Sequence, residues 1–477
     1  MKFVNRHIGL KKITNLISKI IHNNFKEVDK IDALKELRSN FSNNNSKYLI
    51  GMDYNPSILP NVIKRNLLEN PKWYTSYTTY QGEISQGRLE SLYNYQTLIC
   101  ELTKLPISNC ALLDTGTASV EALNLTYNYH KGKKKDFFID ENIYPHIKEI
   151  IKNRGRIMDI NIIESNLANI NINNELFGVL FSYPDTNGDI NYYTDILNKL
   201  KKNNTRIISY NDLLSLLLLK PPGDLGVDIS LGTTQRFGLP LWCGGPHSAF
   251  FSVKKDFLRL LPGRIVEKSK DRNNNDYYRL ALQTREQHIK KETAIHNICT
   301  YQALLTNTSV MYAIYHGKDG LYDIAKDIYL KTNTLRYFMN YFGIKIKPNN
   351  NFTFDSIIIY NHDIKNLYKM LKCNNIIPQI IDDDNIKLTL NETITIDDCV
   401  KILEILNVFN EDKLFGNINY NTFKQKMYET NFYSDFRKDN FLEQDIFKEY
   451  TTETEMLRYI NYLSDKDYSL VNGMIPL

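Results

Sequence analysis

The sequence predicts an α/β fold: a large domain built on a mainly parallel sheet, followed by a smaller α+β domain. Three observations point there. Strand candidates at Arg156–Ile163, Val179–Tyr183 and Ile207–Tyr210 alternate with helical pattern such as Asp195–Lys201. Such alternation favours parallel pairing with helices on both faces of the sheet. A glycine-rich stretch, Val227–His247, then leads into Ser248–Val253, an apolar run that reads as a buried strand. From about Tyr322 to Leu406 the order changes to helix, strand-like runs (Ile344–Lys347, Ser356–Tyr360, Ile386–Leu390) and helix (Asp397–Leu406). The implied organisation is an N-terminal helical segment (1–70), a large domain (71–321), a small domain (322–410) and a linker (411–477).

Composition narrows the class. With 477 residues, 42% hydrophobic and 24% charged, the chain has the balance of a large globular protein. Its longest apolar run, Leu213–Leu219, falls well short of the roughly 20 residues that span a bilayer. No signal peptide pattern opens the chain, and a cytoplasmic location is expected. The net charge of +5 accompanies an excess of Asn, Ile, Lys and Tyr, all with AT-rich codons, so no nucleic-acid partner is inferred from it. The basic cluster Lys131 with Lys133–Lys135 reads as a solvated loop. Six cysteines are scattered without a CxxC pair, so neither a metal site nor a disulfide framework is expected. Cys243 reads as a buried, inert thiol.

In chain order, Met1 to about Pro71 reads as helices and loops, with Ile13, Leu16, Ile17 and Ile20 on one helical face. Trp73–Gln81 and Glu83–Glu90 follow, crowded with tyrosine and threonine hydroxyls. That density suits either the mouth of a site for a small polar molecule or a subunit interface. Leu89, Leu92, Tyr95, Ile99 and Leu102 then recur at helical spacing. In Leu113–Ser119 the small hydroxyl residues around Asp114 and Thr117 suit a phosphate cradle or, as the favoured reading, a helix N-cap. Asp212 closes a strand, and Asn297–Thr300 leads into a long helix through Tyr312.

The stretch Val227–His247 carries the chemistry. A short apolar run, a small polar turn ending at Thr234, then Gln235, Arg236 and a second turn with Gly238, Gly244 and Gly245 precede a buried strand. Gln235-Arg236-Phe237-Gly238, Cys243-Gly244-Gly245-Pro246-His247 and Arg279-Leu280-Ala281-Leu282-Gln283-Thr284-Arg285-Glu286-Gln287-His288-Ile289 resemble the glycine dehydrogenase (decarboxylating) P-protein of the glycine cleavage system. More narrowly, they resemble its amino-terminal half. Arg6-His7-Ile8-Gly9 resembles the family opening, so no transit peptide is expected, and the likeness runs nearly to the last residue.

The resemblance implies an aminotransferase-like large domain of pyridoxal phosphate fold type I. In lysine-bearing relatives the polar turn presents the lysine that holds pyridoxal 5'-phosphate. Gln235 stands at that place here, and an amide cannot form a Schiff base because its nitrogen lone pair is delocalised. Asp114, Thr117, Asp212, Thr234, Gln235 and His247 are therefore expected as the vestigial frame of a cofactor site, with no catalytic residue in this chain alone. The resemblance implies that the cofactor is held by a second half, with glycine as substrate. The lipoyl group of the H-protein would be co-substrate, and a two-fold assembly is expected. Tyr77, Tyr80, Gln81, Glu83, Arg285 and His288 are expected to wall the partner's site. Thr79 and Gly82 depart from the proline-containing family pattern there. Glu453–Tyr459 and Met474–Leu477 resemble the start of the second half, as in a fused protein that ends early or one piece of a split gene. The alternatives are a catalytically inactive structural remnant, or an independent enzyme using Lys220 or Lys254, neither of which follows the polar turn.

Overall fold

The computed structural model describes residues 46–75, 79, 81–242, 244–282, 287–291, 294, 302–347, 353–361, 363–409, 418–430 and 436–473. The chain divides into two compact units, Met1–Ser46 and Lys47–Leu477, and the following concerns the second.

Its first strand, β1 (Lys47–Leu49), belongs to the small domain's sheet and is described with it. The large domain begins with helix α1 (Gln86–Thr103), then strand β2 (Ile107–Ser108), helix α2 (Thr115–Tyr129), strand β3 (Asp136–Asp140), helix α3 (Pro145–Met158), strand β4 (Asn161–Ser165) and strand β5 (Leu176–Tyr183). Helix α4 (Thr194–Lys202) and strands β6 (Arg206–Asn211), β7 (Ile229–Thr233) and β8 (Ala249–Val253) complete a sheet of order β2-β8-β7-β6-β5-β3-β4. From β7 to β4 every pairing is parallel; β8 and β2 are antiparallel additions at one edge. β5 is buried along its whole length, as a strand covered on both faces must be. Side-chain alternation sends Val179, Phe181 and Ile207 into one core and Leu180, Ile208 and Tyr210 into the other.

The strand expected at Arg156–Ile163 begins later. α3 continues to Met158 because Ile147, Ile151 and Gly155 form a buried helical stripe, and the chain turns at Asp159 (φ 55°) before β4. A hairpin of β9 (Ile265–Lys270) and β10 (Asp276–Ala281) follows. Helix α5 (Ala303–Tyr341) then links the domains, interrupted by non-helical backbone at Gly317.

The small domain holds β11 (Ser356–Tyr360), α6 (Ile364–Cys373), β12 (Ile376–Ile380), β13 (Asn385–Thr389) and α7 (Ile396–Phe409). Its sheet order is β1-β12-β13-β11, with β1 parallel to β12. The expectation of only helices and loops before Pro71 therefore fails at Lys47–Leu49, whose backbone groups are satisfied by a strand more than 300 residues away. Ile344–Lys347 is not a strand; Ile346 makes one isolated bridge to Ile359.

Nor is the tail a linker where it is described. Helices α8 (Tyr420–Glu429) and α9 (Glu453–Asp465) pack into the body. In α9, Met456, Tyr459, Ile460 and Leu463 form a buried stripe, and Thr452 with Glu455 makes a capping box. Arg437 donates to the carbonyls of Glu101, Leu102 and Leu216 at 2.7–3.1 Å. No described helix is long and apolar enough to cross a membrane.

Candidate functional site

The parallel strands β5, β6 and β7 end on one side of the sheet, and the turns that leave them meet segments from both domains there. In open α/β sheets this is the usual place for a ligand. The residues that converge are Asp53 and Asn55 from the segment after β1, Tyr144 before α3, Tyr210 and Asp212 at the end of β6, Thr233 and Arg236 after β7, and Phe354 and Asp355 before β11.

Gln235 is buried at the centre of this arrangement. Its Nε2 donates to the carbonyls of Asn55 (2.6 Å) and Leu239 (2.7 Å), and its Oε1 accepts the Asn55 N–H (2.8 Å). Arg236 is equally buried. Its Nε lies 2.9 Å from Asp212 Oδ2, its Nη2 is paired with Asp355, and its guanidinium sits over the Phe354 ring at 5.6 Å. Asp212 Oδ1 also accepts the Leu214 N–H at 2.9 Å. Burial pushes the Asp212 carboxyl up to about 6; Arg236 opposes that rise and the nearby Asp355 charge adds to it.

At the other end, Asp114 caps α2 by accepting the Thr117 N–H at 2.7 Å. Asp53 Oδ2 accepts the Thr115 hydroxyl at 3.0 Å and the Tyr210 hydroxyl. Burial, reinforced by the Asp53 charge, raises the pKa of both Tyr210 and Tyr144 well above the ordinary phenol value. His247 is buried, edge-on to Tyr54 at 4.8 Å, and its Nε2 has no hydrogen-bond partner. Thr234 Oγ1 lies 2.6 Å from Ser248 Oγ.

Of the expected frame, only Asp212 lines this small cavity; Thr234 and Gln235 lie buried between its lining residues Thr233 and Arg236, Asp114 and Thr117 open α2, and His247 packs on Tyr54. Of the expected wall, Tyr77, Tyr80 and Arg285 lie outside the described residues, as does Cys243. His288 falls in the short helix Gln287–Lys290. Gln81 and Glu83 are exposed around the turn Gly82–Ile84, and neither lines the cavity. Lys254 pairs with Asp228 at 2.7 Å, away from the cavity. Asp53, Asn55, Tyr144, Arg236 and Asp355 were not singled out from sequence. Arg236 carried a usable signal: a cation inside a run of buried residues needs acidic partners.

Pyridoxal phosphate requires a lysine amine, a carboxylate for its ring nitrogen and a cradle for its phosphate. Here the amine is replaced by a fully bonded amide, the carboxylate is taken by Arg236, and the first turn of α2 already faces the Asp53 carboxylate. The cavity left is about 20 Å³, room for roughly one water, against the several hundred Å³ of a typical cofactor pocket. These residues do not fit the cofactor.

A family model described as glycine cleavage system P-protein matches residues 3–406. The chain belongs to the glycine cleavage system P-protein family. Among curated relatives it is 40% identical over 432 residues to "glycine dehydrogenase (decarboxylating)" of Nostoc punctiforme, covering 90% of this chain and 44% of that protein. It is 41% identical over 462 residues to the mitochondrial protein of the same name from Dictyostelium discoideum, covering 95% of this chain and 46% of the relative. The chain thus spans about half the length of the curated P-protein relatives it matches. In fold it is similar to a crystal structure of glycine decarboxylase (P-protein) in inhibitor-bound form, with a TM-score of 0.73 at 24% identity, covering 85% of this chain and 96% of that one. A NifS-like protein follows with a TM-score of 0.55 at 12% identity, covering 77% of this chain and all of the other. These likenesses show an α/β fold of the aminotransferase-like kind, as the sequence led one to expect.

Proposed function

We propose that this chain is the amino-terminal, lysine-free half of a glycine cleavage P-protein. With a second half that holds pyridoxal phosphate, it takes part in glycine decarboxylation and in transfer of the aminomethyl group to the lipoyl group of the H-protein. The observation that carries this reading is Gln235, bonded at both ends of its amide in a chain that otherwise matches the family from residue 3 to 406. Pyridoxal phosphate supplies the electron sink for loss of carbon dioxide. This chain supplies scaffold and wall. Tyr77, Tyr80, Gln81 and Glu83, with Arg285 and His288, are assigned to the rim of the partner's site in a two-fold cytoplasmic assembly.

The test is reconstitution. The purified chain, the separately expressed second half and the pair are assayed for glycine-dependent exchange of labelled carbon dioxide with H-protein present. The pair is expected to be active and this chain alone inert. Full activity of the second half alone would refute the reading, since this half would then contribute nothing.

A further inference from the structure

The backbone from β1 into the site is unusual. Gly51, Met52 and Asp53 take φ values of 68°, 58° and 76° in succession. Left-handed backbone at two non-glycine residues is costly and persists only where the surroundings fix it. They do so here. Gly51 lies against Thr389, where a Cβ would come within 2.6 Å of the hydroxyl. The Tyr54 N–H returns to the Gly51 carbonyl at 3.1 Å. Asp53 and Asn55 are both buried, and a buried carboxylate needs donors.

We propose that Gly51–Asn55 is a built-in ligand of this cleft, with Gln235 as its receptor and Asp53 as the anion placed at the first turn of α2. Gln235 reads both backbone groups of one residue, accepting the Asn55 N–H at 2.8 Å and donating to the Asn55 carbonyl at 2.6 Å. An amide can do this because it carries both donor and acceptor; an ammonium has donors only and would leave the Asn55 N–H unsatisfied. Glutamine is thus the receptor for the plug, and more than a lysine that has been lost. Two positions earlier, Asp53 receives the Thr115 and Tyr210 hydroxyls beside the N-terminus of α2, where a negative charge is favoured. The inference concerns this unit alone and stands whether or not a second half exists.

Hydrogen exchange on the full chain, read by mass spectrometry, tests it. Peptides covering Gly51–Ser57 are expected to be protected in the wild type. In Gln235→Leu they should exchange at least tenfold faster, while peptides from β3 to β4 stay unchanged. Exchange of Gly51–Ser57 within twofold of wild type would overturn the proposal. Should Gln235→Leu not fold, Asp53→Asn keeps the shape, removes the charge and should accelerate the same peptides several-fold; no acceleration there overturns it equally. Gln235→Lys, whose ammonium can only donate and cannot accept the Asn55 N–H, should accelerate the same peptides; wild-type protection of Gly51–Ser57 in that variant would also overturn the proposal.

Discussion

Asp467 anchors the tail, and its removal should be severe. The carboxylate is fully buried and sits at the N-terminus of α1, 380 residues back, accepting the N–H of Gly87 at 2.8 Å. It also accepts the Arg88 N–H at 3.2 Å and is ion-paired with Arg88 Nη1. Ser85, at the N-cap position, makes no side-chain cap, so Asp467 performs that role from a distant part of the chain. When Asp467 is lost, Arg88 Nη2 still donates to the Lys72 and Trp73 carbonyls, but Nη1 loses its carboxylate. Breaking a buried pair from one side costs about 3–5 kcal/mol, because a charge remains buried without its partner. Asp467→Ala should lose about that much, and Asp467→Asn roughly half, since asparagine keeps one acceptor for α1. Urea unfolding followed by tryptophan fluorescence is the assay, because Trp73 lies 5.1 Å from the Arg88 guanidinium. Protease cleavage between residues 444 and 473 should appear in the alanine variant first. A loss under about 1 kcal/mol, or equal losses in both variants, would show that the tail is not held this way.

Gly87→Ala should also destabilise, by about 1–3 kcal/mol or more in the same urea titration, because its Cβ would overlap the Leu463 carbonyl of α9 and neither backbone can yield. A silent substitution would mean that α1 and α9 are not in contact. Burial lowers the pKa of His316 to about 4, from 6.5 in the unfolded chain. The unfolded state therefore binds the proton first. Stability from this group is complete above pH 6.5, falls by about 1.4 kcal/mol per pH unit as pH drops, and levels off below about 4. His316→Phe should flatten that part of the stability profile, measured by denaturation between pH 7 and 4. In the reconstituted pair, Tyr80→Phe or Gln81→Ala should lower glycine turnover roughly five- to hundred-fold, corresponding to about 1–3 kcal/mol for one buried hydrogen bond, without loss of assembly on size-exclusion chromatography. Full activity in both assigns the segment to the interface alone.

The architecture was legible where local pattern and burial agree. β5, β6 and β8 are short apolar runs between turns, and Val227–His247 announced itself by glycines and by the residues around Gln235. What escaped was set by distant partners. β1 is three residues, Lys-Tyr-Leu, with no period to read, and becomes a strand because β12 offers an edge. α9 had a readable stripe at Met456, Tyr459, Ile460 and Leu463, obscured by the polar residues of its exposed face. Asp53 carries no local signal, because nothing near it in sequence shows that Thr115 and Tyr210 will surround it.

The pairing of β1 with β12 also fixes an order of events during synthesis. Lys47 must wait for Ile376, roughly 330 residues later. At about 5–20 residues per second on the ribosome, that is on the order of 15–65 s. The large sheet, complete by Val253, can assemble during this interval. Arg236 then has Asp212 beside it, but Asp355 and the strand that receives Lys47–Leu49 have yet to emerge. The nascent large domain therefore spends that time with Arg236 lacking Asp355 and with an unpaired strand edge waiting at its amino end. That is the stage at which a chaperone or a small anion would meet this polypeptide most readily.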